Sequence, residues 1–120
     1  MTIFIDYDFI NWNEYIKIER GNKYRANTIK QNEKQFVAWT VKEKWAGGYP
    51  VTLTVRPYFK DKRRDLDNYR LKGLLDGLVA AGVIKNDNLT CIDKIIIDPI
   101  FEDKRGVFVE IKKSRKKKEG

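Results

Sequence analysis

The stretch DLDNYRLKGLLDGLVAAGVI, residues 65–84, decides how the rest of the chain is arranged. Leu71, Leu74, Leu75 and Leu78 recur at the spacing of one buried stripe and predict a helix over residues 67–80. Counting back four from Leu71 reaches Asp67, so that acid is expected to head the core-facing stripe. Gly82 stands where a helix C-terminus favours glycine, and Val83 and Ile84 resume the apolar run. Asp65 and Asp67 open the stretch, Asp87 follows it in an Asn86-Asp87-Asn88 turn, and Lys60, Lys62, Arg63 and Arg64 lead into it. Acids gathered in this way within a basic protein predict a hard-cation site beside a surface on which phosphates dock.

Upstream, Val51, Leu53 and Val55 alternate with polar residues and predict a strand over residues 51–58, which delivers the chain to the basic run. Before it, Ile29, Phe36, Val37, Trp39 and Trp45 give an apolar face to a helix over residues 26–45, with Lys and Glu filling the other side and Gly47-Gly48 ending it. Residues 2–8 read as a first strand, with Asp6 and Asp8 on one face of it. The aromatic and polar segment 10–15 reads as a loop or short helix that staples the first helix to the sheet. Downstream, residues 91–97 are a buried strand containing Cys91, residues 103–106 a hairpin-like turn, and residues 107–111 the last strand. The order β-α-β-α-β-β predicts an α+β fold: one domain over residues 1–111, a mixed sheet with two helices packed on one face. Residues 112–120 form a basic tail, read as flexible or as a frayed strand end.

Composition narrows the chemistry further. The 120 residues carry a net charge of +8 and no histidine, which excludes Ser-His-Asp and Cys-His catalysis and histidine-based zinc sites. A single cysteine excludes a thiolate cluster and an internal disulfide, and fits a reducing cytoplasm. Any bound metal must then take oxygen ligands, which selects Mg²⁺, Mn²⁺ or Ca²⁺. No apolar run reaches the roughly 18 residues of a membrane span, and no basic-then-apolar leader opens the chain.

Two carboxylates two residues apart, with a third returned by a helix and turn, suit one or two Mg²⁺ ions and phosphodiester chemistry. An EF-hand is a poor alternative, because a loop begun at Asp65 places Arg70 where its glycine belongs and Asp76 where its glutamate belongs. Helix capping by Asp65 or Asp67 stays open as the structural alternative.

The longer pattern is more specific. Arg64-Asp65-Leu66-Asp67-Asn68, then Leu74-Leu75-Asp76-Gly77-Leu78, then Ala81-Gly82-Val83-Ile84, then Asp87 closely resembles the RusA family of Holliday-junction resolvases. The resemblance is specific over about residues 60–90 and agrees in length and strand order over most of the chain. It implies a homodimeric, Mg²⁺-dependent endonuclease of bacteria, phages or prophages, with Mn²⁺ as substitute ion and four-way DNA junctions as substrate. By the same resemblance Asp65, Asp67 and Asp87 match the three metal-binding aspartates, and Asn68 the asparagine beside them. Asn86 departs from an acid common in the family. The family's catalytic lysine falls one helical turn after the second aspartate, where this chain has Leu71. One extra residue between Asp67 and Asp76 makes Lys72 the candidate and Arg70 its rival, Arg70 also being a candidate DNA contact. Lys60, Lys62, Arg63, Arg64 and Asn68 complete the expected DNA-binding set. Two other readings stand beside the resolvase: a non-catalytic, structure-selective nucleic-acid binding module, and a metal-dependent RNase run by the same acids.

Overall fold

A computed structural model describes residues 1–63 and 65–115. Its elements run β1 (Thr2–Ile5), α1 (Trp12–Gly21), α2 (Lys23–Thr40), β2 (Val51–Phe59), a 3₁₀ turn (Leu66–Asn68), α3 (Leu71–Ala80), β3 (Ile92–Ile97), β4 (Ile100–Phe101) and β5 (Val107–Lys113). The strands form one mixed sheet in the order β1-β5-β2-β3, with β4 beside the far end of β2. β5 is antiparallel to both β1 and β2, while β3 and β4 run parallel to β2. The α+β class and the mixed sheet agree with the sequence reading.

Alternation in the strands builds the core. Ile3, Ile5, Val51, Leu53, Val55, Val107, Val109 and Ile111 are buried on one face of the sheet. Val37, Val41, Leu74 and Leu78 of the helical layer join them in a single cluster. α2 and α3 approach closely at Gly77, where a Cβ would sit 2.7 Å from Val37 Cγ2.

Several boundaries differ from the sequence expectation. The helical layer holds three helices, because segment 10–15 opens a helix of its own, with the Asn11 side chain accepting the Glu14 N–H at 2.9 Å. Asn22 ends that helix and caps the next, accepting the Arg25 N–H at 3.1 Å. α2 stops at Thr40, well before Gly47-Gly48, because Val41 turns extended and is buried in the core. β1 ends at Ile5, which leaves Asp6 and Asp8 in a loop. β4 pairs with β2 and not with β5, so residues 103–106 close no hairpin. Gly106 takes φ +125 there, and a Cβ on it would meet the Phe4 ring at 2.4 Å. Lys112 and Lys113, expected in a flexible tail, belong to β5; residues 116–120 of that tail lie outside the described residues.

Candidate active site

The predicted helix over residues 67–80 is broken. A 3₁₀ turn covers Leu66–Asn68, Tyr69 is extended, and α3 begins at Leu71. Asp67 therefore does not head the buried stripe: it is exposed, as are Asp65 and Leu66. The non-helical pair Tyr69-Arg70 separates the 3₁₀ turn from α3, so the leucine stripe starts on a helix of its own. Capping does not account for the acids either. Asp65 precedes the 3₁₀ turn without a side-chain cap hydrogen bond, and the N-cap position of α3 is Arg70.

Asp65 and Asn68 line a cavity of about 190 Å³ together with Asp8, Asn11, Glu14, Phe59 and Tyr69. The Asn68 Oδ1 accepts the backbone N–H of Asn13 at 3.0 Å, fastening the motif to the first turn of α1. Tyr69 OH is buried with no hydrogen-bond partner, and burial, with the nearby charges of Asp8 and Glu33, raises its ionisation well above the ordinary phenol range. Asp8 carried a sequence signal, its period-two pairing with Asp6, whereas Asn11 and Glu14 were not singled out as site residues from sequence. The one available signal for those two was the crowding of polar and aromatic residues over positions 10–15.

Arg70, expected at the DNA-facing surface, is instead 1% exposed. Its guanidinium pairs with the buried Glu33 carboxylate, donates from Nε to the Ile10 carbonyl at 3.0 Å, and lies 4.7 Å from the Tyr15 ring centre. A cation so enclosed has no face left for phosphate. Burial pushes the Glu33 carboxyl above the ordinary carboxylate range, against the opposing pull of Arg70. Lys72 is exposed near the start of α3, with its Nζ 3.6 Å from Asp76 one turn on. Of the two cations weighed for the family's lysine, only Lys72 faces solvent.

Asp87 lies elsewhere. It shares a shallow concavity with Lys34, Asp76, Val79 and Ala80, at the far end of α3 from the Asp65-Asp67 turn. The topology requires this separation, since β2 and β3 are parallel with Val51 opposite Ile92. Asp87 precedes the start of β3, whereas Asp65 follows the end of β2. Among the described residues no three acidic or cysteine side chains gather closely enough to hold a metal ion. The donor chemistry suits a hard cation, being all oxygen and exposed.

In the basic run, Lys60, Lys62 and Arg63 are exposed. Lys62 Nζ sits 5.6 Å from the Phe101 ring centre, and Arg63 pairs with Asp61 at 3.1 Å. Arg64 lies outside the described residues.

Comparison with known proteins fits this layout. The family model described as endodeoxyribonuclease RusA matches residues 10–112, which spans everything from the loop before α1 to β5. The crossover junction endodeoxyribonuclease RusA of Aquifex aeolicus (strain VF5) is 31% identical over 104 residues, covering 83% of this chain and 80% of the relative. With the family model matched over residues 10–112 and a relative 31% identical over most of its length, the chain belongs to the RusA family.

Proposed function

We propose that the protein is a homodimeric, Mg²⁺-dependent endodeoxyribonuclease of the cytoplasm that resolves four-way DNA junctions by paired, symmetric nicks. The observation that carries the reading is the exposed, uncapped Asp65-Asp67 pair, followed at the start of α3 by the exposed Lys72, in a chain that belongs to a family of DNA junction endonucleases. Asp65, Asp67 and Asp87 would hold the cation, which when bound neutralises charge on the scissile phosphate and makes water a stronger nucleophile. Lys72 offsets the charge that builds on the phosphate oxygens. Lys60, Lys62, Arg63 and Arg64 draw the backbone toward the aspartates, and Asn68 holds the loop in place through Asn13.

Two-fold assembly answers the separation of the acids. β3 is an edge strand on which Ile95 and Ile96 are 37% and 40% exposed, an unusual load of apolar surface for an unpaired edge. A second copy related by a two-fold axis at that edge runs its β3 antiparallel to the first. The start of one β3, with its Asp87, then comes to the end where the other chain carries Asp65 and Asp67. Each site in this reading takes two aspartates from one protomer and one from its partner, and two such sites supply two symmetric cuts.

Mixing inactive variants tests this directly. Asp67→Asn and Asp87→Asn are each expected to be inactive alone. Mixed, they form some dimers with one intact site, and those regain nicking of a single strand of the junction. No recovery on mixing, in heterodimers shown to have formed, would contradict the shared site. The binding-module reading draws on the same separation of the acids within one chain, and it predicts no cleavage from the wild type.

A further inference from the structure

We propose that the α1–α2 hairpin is a DNA-binding arm whose tip grips the backbone of a duplex arm away from the cleavage site. The proposal rests on the nuclease reading for its ligand, but the residues concerned lie outside the site described above. Lys17, Arg20, Lys23 and Arg25 crowd the turn between the two helices, and Glu19 is the one acid from Ile16 to Arg25. The Glu19 carboxylate accepts the Tyr15 hydroxyl at 3.1 Å. None of the four cations forms an ion pair among the described residues, whereas Arg56, Lys72, Lys104, Arg105 and Lys112 each do.

Packing gives no structural reason for this cluster, and helix electrostatics accounts only for Arg20, in the last turn of α1. No residue from Ile16 to Arg25 is buried, so the tip stands clear of the core. Lys23 and Arg25 occupy the first turn of an 18-residue helix that has no acid in that turn. A helix macrodipole disfavours cations there, and no ion pair among the described residues offsets that local cost. Between them Tyr24 is 88% exposed, an aromatic ring offered to solvent at the centre of the positive patch. Unpaired cations around an exposed ring suit a nucleic-acid backbone, with the ring lying against sugar or an unstacked base.

The root of the arm is fixed at the site. Asn11 and Glu14 line the Asp65 cavity, Asn13 bonds Asn68, and Arg70 underpins Trp12 and Tyr15. α1 has ten residues, so the tip lies roughly 15 Å along its axis from that cavity. At about 3.4 Å of rise per nucleotide, that distance spans about four phosphates of a duplex arm running alongside α1.

The test measures binding of a synthetic four-way junction in Ca²⁺ across a salt series. Wild type is compared with the quadruple variant Lys17→Gln, Arg20→Gln, Lys23→Gln, Arg25→Gln, with Tyr24→Ala, and with Lys17→Glu alone. The quadruple variant is expected to lose about 0.9 in the slope of log affinity against log salt for each phosphate contact removed, up to about 3.6. Tyr24→Ala is expected to lower affinity with the slope unchanged, and Lys17→Glu to lower both, should the quadruple variant fold poorly. Replacing the phosphates three to five positions from the branch point by neutral methylphosphonates, on a junction with arms long enough to stay paired, should weaken binding for wild type and not for the quadruple variant. Slopes and methylphosphonate sensitivity equal to wild type would overturn the arm and leave the nuclease reading standing. A wild type that binds no DNA would overturn both.

Discussion

Arg70 and Glu33, separated by 37 positions, form an ion pair in which each side chain is 1% exposed. The pair joins the break before α3 to the middle of α2, and Arg70 reaches on to the Ile10 carbonyl at the root of α1. One buried cation thus ties together α2, the start of α3 and the root of α1, the last of which lines the Asp65 cavity.

Removing one partner should be costly. Glu33→Gln leaves a buried guanidinium without its counter-charge, and about 3–5 kcal/mol of stability should be lost. Replacing both, with Glu33→Leu and Arg70→Met, should recover most of that loss, because two apolar side chains carry no desolvation cost. Urea denaturation of the three proteins measures this, and a double variant no better than Glu33→Gln would contradict it.

Gly77→Ala tests the contact between α2 and α3. At an open helical position alanine would add about 1 kcal/mol of stability over glycine. Here the new Cβ falls 2.7 Å from Val37 Cγ2, and Val37 is fully buried. Overpacking of this kind typically costs about 1–3 kcal/mol, so a lower melting temperature is expected.

Asn68 should act through position. Asn68→Ala removes the acceptor of the Asn13 N–H and should cost about 1 kcal/mol, while slowing cleavage more than it weakens junction binding. Asn68→Asp keeps an acceptor at that place and should keep the stability. Equal loss in both variants, read by thermal melts, would argue against the contact.

The pair Asp6 and Arg105 makes a pH prediction. A hydrogen bond from Arg105, at 2.9 Å, holds the Asp6 carboxyl below its ordinary value. A lowered folded value means the contribution is fully present above the ordinary carboxylate range and fades as pH falls through the lowered one. The melting temperatures of wild type and Arg105→Ala should therefore differ at neutral pH and converge in acid. The Asp6 carboxyl should titrate at its ordinary position in the variant, as read by NMR.

Much of the fold was legible because alternation and helical spacing are local signals. Val51, Leu53 and Val55 announced the central strand, and Leu71, Leu74 and Leu78 the helix after the motif. The break at Tyr69-Arg70 was less accessible, since only the buried partner Glu33 explains why Arg70 leaves the helix. A signal did exist. Ala26, Glu33 and Val37 are all buried on one helix, so an acid stood among the core-facing residues of α2. The candidate acids were legible as a motif, but their separation was not, because it follows from β2 and β3 being parallel, which pairing alone reveals. The unpaired charge at the helical hairpin was hidden too, since segment 10–15 read equally as a loop or a short helix and its continuation to Gly21 carried no clear stripe.

The central claim is a metal-dependent cut in branched DNA made through Asp67. The most direct measurement incubates a synthetic four-way junction with Mg²⁺ beside linear duplex, single-stranded DNA and RNA. Wild type and Asp67→Asn are run in parallel, and binding is followed in Ca²⁺. Paired nicks in strands of like polarity are expected on the junction alone, lost on chelation and lost in Asp67→Asn while binding persists. Tight junction binding by wild type with no cleavage in Mg²⁺ or Mn²⁺, or cleavage of RNA with the junction left intact, would contradict the account.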